Sequence, residues 1–167
     1  MRVLVTAASK HGATAEIADA IANKIRESDI TVDRVLPETV LAVDAYDAVV
    51  IGSGVYAGHW LEPARRLVDQ HAAALAQRPV WLFSSGPIGD PPKPDEELVE
   101  IAPMMERVGA RGHRTFPGRL DPATLGFVER AVTSALWAPH GDFRDFNEVR
   151  EWAAEIANAL KPAAVNA

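Results

Sequence analysis

Hydrophobic positions along the chain fall into two kinds of run. Three short stretches are apolar without interruption: residues 2–7 (RVLVTA), 48–52 (AVVIG) and 79–84 (PVWLFS). Continuous apolar character marks strands buried on both faces, as in a parallel sheet. Two weaker strands are expected at 30–36 (ITVDRVL), which carries Asp33 and Arg34, and at 112–117 (GHRTFP), which is mostly polar. Between the strands the period becomes helical. Over 14–28, Ile17, Ile21 and Ile25 form one stripe. Over 62–77, Ala64, Leu67, Val68, His71 and Leu75 form another. Over 95–108, Leu98, Ile101, Ala102, Met105 and Val108 form a third, which Pro103 should kink or restart. Segments 124–137 and 147–160 complete the helices, and 37–46 reads as a loop or short helix. Asp121-Pro122 looks like an N-cap with proline at the first helical position, and Asp145 with Glu148 like a capping pair.

Strands alternating with helices predict an α/β fold with right-handed crossovers. The three richest strands are the first, third and fourth. They would be central in a doubly wound sandwich whose five-stranded parallel sheet runs 2-1-3-4-5, with helices on both faces and the two half-polar strands at the edges. One domain is expected over 1–160, followed by a flexible tail at 161–167. No window approaches the roughly 20 apolar residues of a membrane span, and the opening apolar run is too short for a signal peptide. The expected location is the cytoplasm, with membrane association at most peripheral.

Composition narrows the chemistry. The 167 residues include 23 Asp and Glu against 17 Lys and Arg, a net charge of −6 that argues against a general nucleic-acid binder. Cysteine is absent, which excludes disulfides, thiolate nucleophiles, cysteine-ligated zinc and iron–sulfur clusters. Redox work would fall to a bound organic cofactor or another metal. Five histidines (His11, His59, His71, His113, His140) share no metal-ligand spacing. The acidic run Asp95-Glu96-Glu97 is explained by the dipole of the helix it opens.

In doubly wound sheets ligands bind beyond the C-terminal strand ends, where the strand order reverses. The first such loop is Ser9-Lys10-His11-Gly12-Ala13-Thr14. A helix beginning near Thr14 would point unpaired N–H groups at it, Gly12 would let the backbone come close, and Ser9 and Thr14 offer hydroxyls to a phosphate monoester. The bland alternative is a strand-to-helix loop with an ordinary Thr cap. Ser9, Gly12, Thr14, Ala18 and Ile21 fall at the spacing of the FMN-phosphate loop of flavodoxins, which this segment resembles. Thr6-Ala7 stand where that family usually has an aromatic residue. The second loop includes Ser53, Gly54, Val55, Tyr56, Ala57 and Gly58. The resemblance implies that Tyr56 stacks on the isoalloxazine ring, while Trp60 reads as rim packing. Gly52-x-Gly54-x-x-Ala57 also fits a dinucleotide fingerprint, but after the wrong strand and with no following acidic residue for a ribose. The third loop, Ser84-Ser85-Gly86-Pro87, follows the fourth strand, and its backbone would meet the flavin edge.

A closer resemblance is carried by residues 46–53, by Tyr56-Ala57-Gly58-His59, and by Gly141-Asp142-Phe143 through Trp152-Ala153. These are similar to the flavodoxin-type, quinone-dependent protoporphyrinogen dehydrogenases. That family implies FMN as cofactor, oxidation of a porphyrinogen and a quinone as acceptor. The stretch 120–145, extra relative to a minimal flavodoxin, agrees with it. The expected function is therefore an FMN-dependent oxidoreductase acting on a porphyrinogen or similar small-molecule substrate. The alternative is a flavodoxin-type electron-transfer protein that carries FMN to a redox-partner protein and has no substrate of its own. A module that kept the fold and lost the flavin ranks third. A receiver domain is excluded, because Thr6, Ala7, Ala8 and Ser9 offer no acidic cluster for magnesium. Lys10, His11, His59, Arg65 and Arg66 outnumber Glu16, Glu62 and Asp90 around the loops, unlike the acidic rim usual in carriers, and this places the enzyme first. His59 reads as a proton shuttle or a plain surface histidine.

Overall fold

The computed structural model describes residues 1–86, 99–120, Ala123, Gly126 and 141–162. Five parallel strands form the sheet: β1 (Arg2–Ala8), β2 (Thr31–Val35), β3 (Ala48–Tyr56), β5 (Val80–Ser85) and β6 (Gly112–Phe116). Their order is β2-β1-β3-β5-β6. A two-residue strand, β4 (His59–Trp60), folds back antiparallel on the end of β3. With that hairpin set aside, the order is the expected 2-1-3-4-5. The central strands are buried almost end to end, while β2 and β6 are mostly half-buried, as edge strands with polar residues should be.

Side chains alternate between two cores. Val3, Val5 and Ala7 of β1 face helices α1 (Ala13–Arg26) and α4 (Phe146–Leu160), together with Val50, Phe83 and Phe116. Leu4 and Ala8 face the other way, with Val49, Ile51 and Leu82, toward α2 (Glu62–Leu75) and α3 (Ile101–Val108). On the α1 face Phe83, Phe116 and Trp152 pack as an aromatic triad with centroids 5.6–6.2 Å apart. The ring of Phe83 lies over Gly52 so closely that a Cβ there would stand 2.0 Å from it. Gly52 thus serves packing of the sheet.

Helix ends follow the local chemistry. Asp145 caps α4, accepting from the Asn147 and Glu148 amides at 2.8 and 3.3 Å. Glu148 turns to Arg114 at 3.4 Å, which accounts for its side chain. In α3 the buried residues are Ile101, Met104 and Val108, so the apolar stripe runs through Met104 and leaves Ala102 exposed. Pro103 falls in the first turn of α3, where its missing N–H removes no helical bond. Residues 37–46 hold only a short 3₁₀ turn, Pro37–Thr39. A two-stranded ribbon, β7 (Arg119–Leu120) with β8 (Gly141–Asp142), closes the base of the extra stretch. Asp121-Pro122, the segment 124–137 apart from Gly126, His140 and Asp95-Glu96-Glu97 lie outside the described residues, as do Pro87 and 163–167. No helix among the described residues is long and apolar enough to cross a membrane.

Candidate functional site

Sheet register brings the three predicted loops to one edge. Ala8 lies opposite Ser53, Ser53 opposite Ser84, and Gly54 opposite Ser85. The loop after β1 runs through Ser9, Lys10 and His11 into α1. Its turn is made by Gly12, the N-cap residue, at φ +84°, a left-handed value that favours glycine. No side chain caps α1, and its first backbone bond inside the helix runs from the Glu16 amide to the Gly12 carbonyl. The amides of the first turn therefore lack a capping side chain. Beside them the Ser9 hydroxyl is buried without a hydrogen-bond partner. Thr14 is buried within the first turn, so it is not the cap, and Gly54 of β3 packs against it; a Cβ at Gly54 would stand 3.1 Å from Thr14 Oγ1.

The second predicted loop is largely strand. β3 continues to Tyr56, then turns through Ala57 (φ +48°) and Gly58 (φ +78°) into β4. Two successive positive φ values are those of a type I′ hairpin turn, whose twist matches that of the strands. Tyr56 is 37% exposed at the end of β3. The Lys10 ammonium sits 4.8 Å from its ring centre and the His11 ring 6.3 Å away, so the first and second segments meet there. The Ser53 hydroxyl is committed to framework, accepting from the Leu61 amide at 2.8 Å and donating to the Gly54 carbonyl at 2.8 Å. Val55 pairs with Trp60 across the hairpin.

In the third segment Ser84 is buried, and its hydroxyl accepts from Trp60 Nε1 at 2.8 Å and lies 2.8 Å from His113 Nε2. Burial lowers the pKa of His113 and favours its neutral form. Gly86, at φ +117°, donates its amide to the Phe116 carbonyl at 2.8 Å and so extends the β5–β6 ladder. Trp60 is buried, as the rim-packing reading expects, and its backbone amide donates to Glu100. His59 is exposed, with Nδ1 3.2 Å from Glu100.

Two arginines at this edge were not singled out from the sequence. Arg144, whose side chain is only 4% exposed, grips both oxygens of Asp142 at 2.7–2.8 Å, Glu16 at 2.6 Å and the Ala13 carbonyl at 3.2 Å. Arg119 reaches Glu16 at 3.4 Å and the His11 carbonyl at 3.5 Å. The hydrogen bonds from Arg144 are the main cause that holds the carboxyls of Glu16 and Asp142 below their ordinary values, and these two carboxylates raise Arg144 further. These arginines stand 108 and 131 positions from the loop residues they hold, so no local motif could reveal them.

The flavodoxin-domain family model matches residues 4–146, most of the chain and every part of this edge. The chain belongs to the flavodoxin family. Solved structures agree on the fold. An archaeal flavodoxin superimposes with a TM-score of 0.68 at 20% identity, covering 97% of this chain and 100% of that one. Oxidised flavodoxin 1 of Bacillus cereus gives 0.67 at 15% identity, covering 96% and 100%. Rubredoxin:oxygen oxidoreductase of Desulfovibrio gigas gives 0.63 at 14% identity; this chain is 95% covered and matches 36% of that chain. No curated protein matches by sequence. The cofactor of the flavodoxin family is FMN, and the residues present fit it. An uncapped helix start, a left-handed glycine and a buried hydroxyl without a partner are the donors and backbone shape that a phosphate would require.

Proposed function

We propose that the protein is an FMN-dependent electron-transfer protein of the flavodoxin type, passing electrons to a redox-partner protein. The observation that carries this reading is the loop at the start of α1, where the Ser9 hydroxyl is buried without a partner beside a helix N-terminus that no side chain caps. Ser9, Thr14 and the amides of residues 10–14 would hold the phosphate, with Gly12 giving close backbone approach. Tyr56, Ala57 and Gly58 at the hairpin tip, with Gly54 and Val55 behind them, would bound the ring on one side. Ser85 and Gly86 would bound the other. Ser53 and Ser84 would act by fixing these walls, since their hydroxyls bond within the framework. FMN, when bound, supplies the redox chemistry that a chain without cysteine lacks.

The wider likeness to flavodoxins supports a carrier better than an enzyme, and it reverses the order suggested by the charge of the rim. The narrower reading, a protoporphyrinogen dehydrogenase with a quinone acceptor, rests on sequence resemblance alone. A spectrum of the purified protein and a fluorescence titration with FMN test the cofactor. The expected result is flavin absorption and quenching of added FMN; a colourless protein that leaves FMN unquenched refutes the proposal. Chemically reduced holoprotein should be re-oxidised by a one-electron acceptor such as cytochrome c. Sustained turnover of a porphyrinogen with a quinone would replace the carrier reading with the enzymatic one.

A further inference from the structure

We propose that Arg144, assisted by Arg119, is a positioning residue that gives the phosphate loop its preference for a phosphorylated flavin. The inference rests on the cofactor reading above and deepens it. In a trans peptide the carbonyl of one residue and the N–H of the next point in opposite directions. Arg119 holds the His11 carbonyl, and so fixes the direction of the Gly12 amide. Arg144 holds the Ala13 carbonyl, and so fixes that of the Thr14 amide. Both guanidinium groups approach from the carbonyl side, leaving the amides aimed away from them.

The clamp is itself held. Arg144 is forked onto Asp142 through two bonds, lies with its guanidinium carbon 4.9 Å from the Phe146 ring centre, and is almost wholly buried. Arg119 stands opposite Asp142 in the β7–β8 pairing. Glu16, in the first turn of α1, accepts from both arginines and ties that turn to the ribbon. Among the described residues, two cations and two carboxylates balance in this cluster. Its effect on a phosphate is therefore to orient amides more than to add charge. A planar fork is required for that task, and lysine cannot reproduce it.

The test is a fluorescence titration of the full-length apoprotein with FMN and with riboflavin, which lacks the phosphate. The wild type should bind FMN more tightly than riboflavin. Arg144→Lys, which keeps the charge, should weaken FMN by about tenfold, the loss of a charge-assisted bond, and leave riboflavin nearly unchanged. Arg119→Ala, on a partly exposed side chain, should fold normally and shift the FMN-to-riboflavin ratio in the same direction by less. Unchanged ratios in both variants, or equal losses for the two flavins, overturn the positioning role while the cofactor reading stands. A wild-type chain that binds neither flavin overturns that reading, and this proposal with it.

Discussion

At the scale of single residues, the fold leaves two buried hydroxyls unsatisfied among the described residues, Thr6 within β1 and Ser9 just past its end, and of these only Ser9 lies in the loop that leads into α1. A buried hydroxyl without a partner costs about 1–3 kcal/mol, so a chain keeps one where something else supplies the bond. Ser9 is such a residue. Ser53 and Ser84 are the contrast, since they are buried and bonded within the chain. The sign of a substitution should therefore differ between folding and binding. Ser9→Ala should leave the apoprotein as stable as the wild type or more so by about 1 kcal/mol, because an unmet group is removed. The same substitution should weaken FMN binding severalfold or more. Urea unfolding of the apoprotein and fluorescence titration of the same preparation read the two effects. A stability loss with unchanged FMN affinity would show that the hydroxyl serves the fold.

At the scale of elements, most of the sheet was legible because buried parallel strands announce themselves as continuous apolar runs. Val3–Ala7, Ala48–Ile51 and Val80–Phe83 needed no context, and the polar edge strands followed from Asp33, Arg34 and His113. The end of β3 was not legible. The stretch after Gly52, from Ser53 to Tyr56, reads as a loop, since glycine in a strand interior is unfavourable without a packing partner. The partners are the ring of Phe83 over Gly52 and the start of α1 against Gly54, both tertiary contacts. In the candidate site, the proposed phosphate loop is a local motif, whereas Arg119 comes from β7 and Arg144 from the short connection between β8 and α4, both far along the chain. The hairpin after β3 carries its own prediction. Ala57 holds a left-handed φ of +48°, which an L-residue adopts at a cost. Ala57→Asn would give Asn-Gly, the pair favoured in type I′ turns. It should raise apoprotein stability by about 0.5–1 kcal/mol, measured as a higher urea midpoint at unchanged slope. A fall in the midpoint would show that this turn is set by contacts other than its own backbone.

At the scale of the whole molecule, three groups on both sides of the sheet bias stability in the same direction as pH changes. His113, on β6 with its ring at the Ser84 hydroxyl, has its pKa lowered from the usual 6.5 by burial. The unfolded chain takes up a proton near that value that the folded chain refuses, so stability falls as pH drops from about 6.5 toward the folded pKa. Glu16 and Asp142, on the α1 side, are lowered chiefly by hydrogen bonds from Arg144. Their contribution is fully present above the ordinary carboxylate values and is lost as pH falls through the lower folded ones. Acid unfolding should therefore proceed in two windows, one below about 6.5 and one below about 4.5. The first belongs to a single side chain that faces Ser84 and can be separated from the second. His113→Gln keeps a hydrogen-bonding group toward the Ser84 hydroxyl and removes the titration. Urea midpoints measured from pH 7.5 to 5 should decline in the wild type and stay nearly flat in this variant, with the loss below pH 4.5 retained by both. An equal decline in the two proteins above pH 5 would place the first window on another group. A decline confined to the wild type would tie the pH response of the β5–β6 edge to one half-buried histidine.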